Sequence, residues 1–477
     1  MNSKKTPASP EHKKRATTQS MKRILWLMGI FGVFTFCVLF LKLWSIQIVN
    51  DEYYKEKAIA NQTSDVAVSA NRGTIYDAKG NILALSADVQ NVIISPRDVV
   101  EKKLDPDLIA NGLAEILSLD PAKIRKRIDK TNSAWEPIAT KIEDDLADQV
   151  RQFILDNKLA GGVYLTTDSK RYYPYSSLAS QVIGFVNSEN KGAYGLEAIY
   201  NSDLAGENGR IVTTKNASGT EMPSGFEAYV DAQDGYNLNL TIDASIQYFA
   251  QSTVEEGIRR FEVSEGAFCI VMNPKTGAIY AMVSSPGYDL NKPNAIFEPN
   301  MAAKIAGMKA NASEEAYLKA LGDAQFAQWR NKALNDSYEP GSTFKPIVVA
   351  AALEEGAISE NDTYFCNGVQ QVQDRRIHCS KRTGHGTQSL RQTLMNSCNP
   401  ALIQIGAKLG AERFYKYWQD FGFSEKTGIE LQGESESLFW DPDQFIGPSG
   451  IVSLATASFG QRFKVTPMQL ITAISAV

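Results

Sequence analysis

The sequence has 477 residues, of which 43% are hydrophobic and 22% are charged, and its formal net charge is −5. The length excludes a single typical domain and the composition is ordinary for globular protein, so we expect two or more folded units. The sequence contains no glycine-rich phosphate loop and no dinucleotide fingerprint, and we expect no cofactor and no nucleic-acid partner.

The N-terminal region combines a basic tail with an apolar segment. Ile24–Leu41 carries no charge and is long enough to begin a bilayer span, and no convincing cleavage site follows it. A buried soluble helix is the alternative, which the flanking charge disfavours. We predict a cytoplasmic tail over residues 1–23 and an uncleaved single-pass anchor over 24–44, with the rest outside the cell membrane. The basic residues of the tail are Lys4, Lys5, Lys13, Lys14, Arg15, Lys22 and Arg23, against a single acidic residue, Glu11.

Residues 45–235 predict a first extracellular module. Asp51–Ala60 is charged and helix-prone, as in a stalk. Beyond it, short runs rich in Val and Ile alternate with helical stretches at Asp107–Leu117 and Asp144–Leu155, which indicates an α+β module. Glycine and polar residues over 206–235 are typical of a connector, so we place the domain boundary there.

The second domain, residues 236–477, is predicted to open with a helix and a hairpin. The helix covers about Ala244–Arg259. The runs Ala267–Met272 and Ala278–Val283 have strand composition, and the five residues between them form a turn. The segment therefore predicts a β-hairpin.

The stretch around Ser342 and Lys345 carries the clearest chemical signal. Pro340 and Gly341 favour a turn that leads into a helix, so side chains three residues apart would meet near the N-terminus of that helix. A serine becomes a nucleophile when a base takes its proton, and a lysine acts as that base only in surroundings that keep it neutral. The tetrad Ser342–Lys345 is weak evidence for catalysis by itself, because Ser-x-x-Lys occurs by chance. An exposed Lys beside a capping Ser is the alternative reading.

Downstream sequence strengthens the signal. Ser397 and Asn399 form an S-x-N, in which the hydroxyl would relay a proton and the amide would hold a substrate amide. Residues 457–461 read Ala-Ser-Phe-Gly-Gln. Thr466 and Pro467 then open another helix as N-cap and first helical residue.

In this order, these motifs resemble the class B penicillin-binding proteins, the monofunctional D,D-transpeptidases that crosslink peptidoglycan. The resemblance runs from the apolar segment to the last residue and is nearest the division and sporulation branch. Beyond the tetrad and the S-x-N, the segments that carry it are Arg72–Asp77 with Gly80 and Leu83–Ala84, Arg171–Pro174, Ile183–Val186, Gly195–Glu197, and Leu240–Asp243 with Gln247.

The resemblance implies an α+β multidomain fold with a pedestal or dimerisation module and a serine β-lactamase-like domain of antiparallel sheet with helices. It implies Ser342 as nucleophile, Lys345 as base, Ser397 as proton relay and Asn399 as the residue that binds the donor peptide. It also implies β-lactams as inhibitors and a SEDS-type glycosyltransferase as partner. A D,D-carboxypeptidase or a serine β-lactamase fits less well because of the anchor and the first module. A non-catalytic scaffold of the wall-synthesis complex is the remaining alternative.

A third family motif, K-T-G, is expected on a strand beside the serine. Residues 275–277 and 426–428 both read Lys-Thr-Gly, but the first follows a strand before the nucleophile and the second lies in a turn-like segment. We predict that neither Lys275 nor Lys426 is catalytic. The resemblance places the motif beyond Val477, so residues 1–477 alone are expected to lack transpeptidase activity.

Cysteine and histidine residues offer a second set of candidates. Cys366 and Cys379 flank a polar loop outside the membrane, and a disulfide and two free thiols are equally consistent with that position. His378 and His385 lie near them, but the spacing matches no closed zinc pattern, so we expect no metal site. The loop of His385 resembles a family loop near the active site.

Overall fold

The computed structural model describes residues 18–51, 63–68, 70–214 and 228–477. The predicted basic tail up to Arg15 and the predicted stalk after Asp51 lie outside the described residues. The chain divides into two compact units, one of residues 1–68 and 209–231 and the other of residues 69–208 and 232–477. The domain boundary at residues 235–236 stays a prediction.

Helices account for much of both units. In chain order the described helices are α1 (Thr18–Trp44), α2 (Pro96–Glu101), α3 (Pro106–Leu117), α4 (Pro121–Ile128), α5 (Asp144–Asp156), α6 (Ser180–Ile183), α7 (Gly195–Ile199), α8 (Asn201–Ala205), α9 (Ala244–Phe261), α10 (Pro299–Asn311), α11 (Glu314–Trp329), α12 (Lys332–Asn335), α13 (Lys345–Glu354), α14 (Leu390–Met395), α15 (Asn399–Leu409), α16 (Ala411–Asp420), α17 (Pro442–Ile446), α18 (Ile451–Ala457) and α19 (Pro467–Ile474).

The strands are short apart from two in the first module. They are β1 (Thr63–Val68), β2 (Ile75–Tyr76), β3 (Ile82–Ile94), β4 (Glu136–Ile142), β5 (Val163–Tyr172), β6 (Gly209–Thr214), β7 (Ala228–Val230), β8 (Leu238–Asn239), β9 (Ala267–Met272), β10 (Ile279–Ser285), β11 (Thr363–Cys366), β12 (Val369–Val372), β13 (Arg375–His378) and β14 (Gly386–Ser389).

The first unit contains the apolar N-terminal helix. Met21–Val49 is long and apolar enough to cross a membrane, and its side chains are almost all exposed. A helix of this composition that buries nothing within the protein matches the predicted anchor. The same unit holds an antiparallel sheet in the order β1-β6-β7.

A five-stranded sheet is built from four strands of the first module and from β8, which follows the predicted boundary. Strand β3 lies between β2 and β4 and also pairs antiparallel with β5 from Leu85↔Tyr172 to Ile94↔Val163. Helix α3 packs against this part of the module because Ile109 and Leu113, four residues apart, are both fully buried. The Asp105 carboxylate caps the helix by accepting from the N–H groups of its first turn. The predicted helices at Asp107–Leu117 and Asp144–Leu155 are confirmed as α3 and α5.

A buried ion cluster joins three separate segments of the module. The Glu197 carboxylate lies 2.6 Å from Arg72 Nε and 2.7 Å from Arg171 Nε, and the side chain of Glu197 is fully buried. Arg72 also donates to the Glu197 carbonyl oxygen at 2.7 Å, and the Tyr173 hydroxyl donates to the carboxylate at 3.3 Å. One buried carboxylate therefore ties together two buried guanidinium groups by direct contacts.

The opening of the second domain matches its sequence. Helix α9 begins after its N-cap Asp243, and β9 and β10 pair antiparallel, which confirms the predicted helix and hairpin. The buried Gln247 amide locks the two together, since it donates to the Met282 carbonyl oxygen at 3.1 Å and accepts from the Met282 N–H at 2.8 Å.

An aromatic core supports the helices that carry the candidate site. Phe344 packs against Phe463 with ring centroids 4.9 Å apart, and Trp418 stacks on Phe423 at 4.8 Å. The body of α13 is buried almost all round, as its Ala-rich apolar sequence predicts. This core fixes the start of α13 and hence the residues that precede it.

Candidate active site

The candidate nucleophile lies in a tight turn before a helix. Residues Gly341–Phe344 form a 3-10 turn that runs directly into α13, and the Ser342 side chain is exposed. Gly341 donates its N–H to the Gly460 carbonyl oxygen at 2.8 Å. A Cβ on Gly460 would lie 1.9 Å from the Gly341 oxygen, and Gly460 has a φ of +82°. Only glycine permits this approach, so the Ser-Phe-Gly-Gln segment buttresses the serine turn.

Lys345 is the first residue of α13 and points inward. It is 2% exposed, and its ammonium donates at 2.8 Å to three oxygens: the Ser397 carbonyl, the Ser397 hydroxyl and the Asn399 side-chain carbonyl. All three acceptors are neutral. Burial lowers the pKa of Lys345 to about 8, although the nearby thiols of Cys398 and Cys379 act in the opposite direction. A neutral amine is therefore within reach near neutral pH.

Ser397 connects the lysine to the nucleophile. Its hydroxyl donates to Ser342 Oγ at 2.9 Å, so the chain of contacts runs from Ser342 through Ser397 to Lys345. The sequence predicted that the serine and the lysine would meet as i and i+3 neighbours. In the structure their connection passes through a residue 55 positions from Ser342. Ser397 has a φ of +48°, an uncommon conformation for a residue with a side chain.

Asn399 completes the group. It is the first residue of α15, where Pro400 follows and the preceding Cys398 is the N-cap. Its amide donates to the His378 carbonyl oxygen at 3.3 Å while its oxygen accepts from Lys345. The structure thus brings all four predicted residues together: an exposed hydroxyl, a bridging hydroxyl, a buried amine and an orienting amide. Such a set can activate a serine for acyl transfer without a metal.

Comparison with known proteins agrees with this arrangement. Residues 67–240 match the penicillin-binding protein dimerisation domain, and residues 267–477 match the penicillin-binding protein transpeptidase domain. The chain belongs to the class B penicillin-binding proteins.

Two relatives of this penicillin-binding protein and one solved structure cover most of the chain. Stage V sporulation protein D of Bacillus subtilis is 33% identical over 95% of the chain, which spans 64% of that relative's length. The peptidoglycan D,D-transpeptidase MrdA of Escherichia coli is 27% identical over 92% of the chain and 69% of its own length. The solved Helicobacter pylori PBP2 in complex with MreC has a TM-score of 0.65 and 24% identity over 86% of this chain and 75% of that one, which shows a shared fold.

The two Lys-Thr-Gly sequences of this penicillin-binding protein lie at the surface, the first in a hairpin turn and the second in a loop. Lys275 is exposed at the tip of the β9–β10 hairpin, where its N–H donates to the Asn273 side chain at 2.9 Å. Lys426 is exposed and faces Glu436 at 3.8 Å, and Thr427 is held by Glu434. Their exclusion from the active site stays a prediction, which these surroundings favour.

A cluster of cysteines lies beside the S-x-N of this penicillin-binding protein. Ligand atoms of Cys366, Cys379, His385 and Cys398 all lie within 4.8 Å of one another. The three thiols are buried and free, so the structure contains no Cys366–Cys379 disulfide within its described residues. Sequence reasoning missed this cluster because its members are 6 to 13 positions apart and resemble no zinc motif. The absence of a metal site stays a prediction that the geometry weakens.

Proposed function

We propose that this protein is a serine D,D-transpeptidase that crosslinks peptidoglycan stem peptides through an acyl-enzyme on Ser342. The observation that carries the proposal is the unbroken set of contacts from the exposed Ser342 hydroxyl through Ser397 to the buried Lys345 amine. Relatives named peptidoglycan D,D-transpeptidase support the same conclusion.

In the first step, Ser342 Oγ attacks the carbonyl carbon of the D-Ala-D-Ala peptide bond. Neutral Lys345 draws the serine proton through the Ser397 hydroxyl, and backbone N–H groups, including that of Ser342, stabilise the oxyanion. The peptide bond breaks, Ser397 passes the proton to the leaving amine, and D-Ala departs.

In the second step, an amine of a neighbouring stem peptide attacks the acyl-enzyme. Its nitrogen forms the new peptide bond and gives up a proton, the ester to Ser342 breaks, and the serine oxygen takes up a proton. Asn399 holds the donor peptide through its side-chain amide. A β-lactam follows the first step and stalls there, because the amine released when its ring opens stays attached to the acyl group and cannot depart to make room for the acceptor amine.

A penicillin-labelling experiment on the full-length protein tests this assignment. A fluorescent penicillin should attach covalently to the wild type, and the modified peptide should contain Ser342. Ser342→Ala should abolish labelling, whereas Ser424→Ala, an exposed serine away from the cluster, should label normally. Labelling that persists in Ser342→Ala would contradict the assignment of Ser342 as the nucleophile.

The same assay examines the surface Lys-Thr-Gly sequences. Lys275→Ala and Lys426→Ala should each label at the wild-type rate because both side chains are exposed. A large loss in either variant would show that one of them serves as the third motif.

We also propose a single-pass topology with the N-terminus cytoplasmic and the bulk of the chain outside. The basic residues before α1 support this orientation. Protease treatment of intact spheroplasts should digest everything beyond the anchor, and survival of the C-terminal domain would overturn the topology. Within the membrane, a SEDS-type glycosyltransferase is the proposed partner.

A non-catalytic scaffold of the wall-synthesis complex is the second candidate. The scaffold function needs neither a buried lysine nor the Ser342–Ser397 contact, so the presence of both favours the enzyme.

A further inference from the structure

The cysteine cluster draws its members from four places in the second domain. Cys366 ends β11 and Cys379 follows β13, while His385 precedes β14 and Cys398 precedes α15. Strands β11 and β14 pair with Cys366 opposite Gly386, which brings His385 beside Cys366. The ends of three strands and the start of α15 thus converge on one point.

The distances suit one tetrahedral ion. Cys379 Sγ lies 3.6 Å from His385 Nδ1 and 4.0 Å from Cys398 Sγ. Ligands of a tetrahedral zinc, with Zn–S about 2.3 Å and Zn–N about 2.0–2.1 Å, are separated by about 3.5–3.8 Å. A disulfide would instead need sulfur atoms about 2.0 Å apart, so the cluster is closer to an ion cage than to a bridge.

Backbone N–H groups face two of the four ligand atoms. The N–H groups of Lys381 and Asn399 donate to the Cys379 sulfur, and the N–H of Ala401 donates to the Cys398 sulfur. Such donors are the outer contacts that orient metal-bound ligands. The loop before β14 also passes close to the end of β11. A Cβ on Gly384, whose φ is +81°, would lie 2.3 Å from the Cys366 carbonyl oxygen, so this close approach requires glycine.

We propose that Cys366, Cys379, His385 and Cys398 bind one structural Zn²⁺. Three sulfur ligands and one imidazole with no carboxylate select zinc among abundant divalent ions, and four protein ligands close the coordination sphere. Binding displaces the thiol protons to solvent and ties the ends of three strands to the start of α15.

The position of Cys398 gives the ion a second consequence, which rests on the proposed function. Cys398 lies between Ser397 and Asn399, and both of these contact Lys345. The ion would hold the backbone of this motif in place, including the left-handed Ser397. Zinc would therefore position the S-x-N residues without touching the substrate.

The primary test is metal analysis of the full chain, purified in detergent without added chelator. We expect one zinc per wild-type chain, and also one in Cys269→Ser, a cysteine of β9 outside the cluster. Cys366→Ser and His385→Ala should lose it. Zinc absent from the wild type, iron in its place, or equal zinc in all variants would overturn the proposal.

Two further measurements test the site even if Cys366→Ser or His385→Ala fails to fold. Cobalt added to the metal-free wild type should give the charge-transfer band of cobalt thiolate, and His385→Cys should keep the cobalt and shift that band. Alkylation of the denatured wild type without reductant should modify all five cysteines. An unshifted band, or two thiols missing because of a disulfide, would contradict the proposal.

Zinc content and penicillin labelling can be tested independently of each other. Ser342→Ala should retain one zinc while losing penicillin labelling, because Ser342 is not a ligand. Cys366→Ser should label at least about ten-fold more slowly than the wild type, as expected for lost positioning. Zinc lost from Ser342→Ala would contradict the site, and unchanged labelling of zinc-free Cys366→Ser would contradict its positioning effect.

Discussion

Two buried ionic groups in this penicillin-binding protein have contrasting partners. Glu197 in the first module is enclosed by two arginines at 2.6 and 2.7 Å. Lys345 in the second domain is as deeply buried but donates to three neutral oxygens. A paired charge holds segments together, whereas a charge with only neutral partners is easily given up as a proton. The contrast distinguishes a structural cluster from a reactive one.

The largest expected effect on stability is at the paired charge. Glu197→Ala leaves two buried guanidinium groups without their carboxylate, so the free energy of unfolding should fall by about 3–5 kcal/mol. Glu189→Ala removes an exposed carboxylate paired with Lys191 and should cost less than about 1 kcal/mol. Denaturant unfolding of the full chain in detergent measures the stability loss of both variants. Equal losses would contradict the structural role of the buried cluster.

Lys345→Met should show the reverse pattern. The acylation rate with labelled penicillin should fall by about 10²–10⁴-fold because the base is gone. The free energy of unfolding should change by less than about 1.5 kcal/mol, since methionine fills the space and removes a desolvated charge. Ser397 and Asn399 are only partly buried, so water can reach the oxygens left behind. A loss of stability as large as that of Glu197→Ala would show that Lys345 is a structural cation.

Gly460→Ala sharpens the comparison by moving the nucleophile turn while leaving every polar group in place. The added methyl would meet the Gly341 carbonyl oxygen, so we expect a loss of at least about 2 kcal/mol in stability and a slower acylation rate. Gly356→Ala is the matched control, because it has a φ of +60° with open space around it and should cost about 1 kcal/mol with normal acylation. Normal acylation in Gly460→Ala would show that the buttress is dispensable.

The sequence predicted local structure well, and the four site residues that it named lie together in the structure. Helix α13, the β9–β10 hairpin and the capped start of α19 follow from periodicity, turn residues and the Thr466 cap, all of which act within a few positions. The path from Ser342 through Ser397 and the cysteine cluster could not be predicted this way. Both are assembled from segments that only the tertiary fold brings together.

The ion cluster shows the same limit. Arg72, Arg171 and Glu197 each stand in a motif that resembles the family, but their mutual contact spans 125 positions between Arg72 and Glu197. A motif indicates which residues matter, and the fold decides whether a residue is a ligand, a base or a structural partner.

The smallest expected effect belongs to a carboxylate that is held by neutral N–H donors rather than by a cation. Burial raises the pKa of Asp77, but hydrogen bonds from the Asn81 side chain and the Ala244 N–H outweigh this and leave it lowered. The charged form therefore stabilises the fold above the ordinary pKa of about 3.9, and this contribution is lost as the pH falls through the lower folded value.

Asp77→Asn should thus cost about 1 kcal/mol at neutral pH, and its difference from the wild type should shrink below about pH 4. Unfolding measured over this pH range checks the sign. A difference that grows on acidification would mean that the fold prefers the protonated Asp77.

The most direct test of the central claim is a double-mutant cycle on penicillin acylation with Ser397→Ala, Lys345→Met and the combined variant. If Ser397 carries the proton between Ser342 and Lys345, the two residues act as one unit, and the double variant should be about as slow as Lys345→Met alone. Effects that multiply would show that the serine and the lysine act independently, which would contradict the proton path from Ser342 through Ser397.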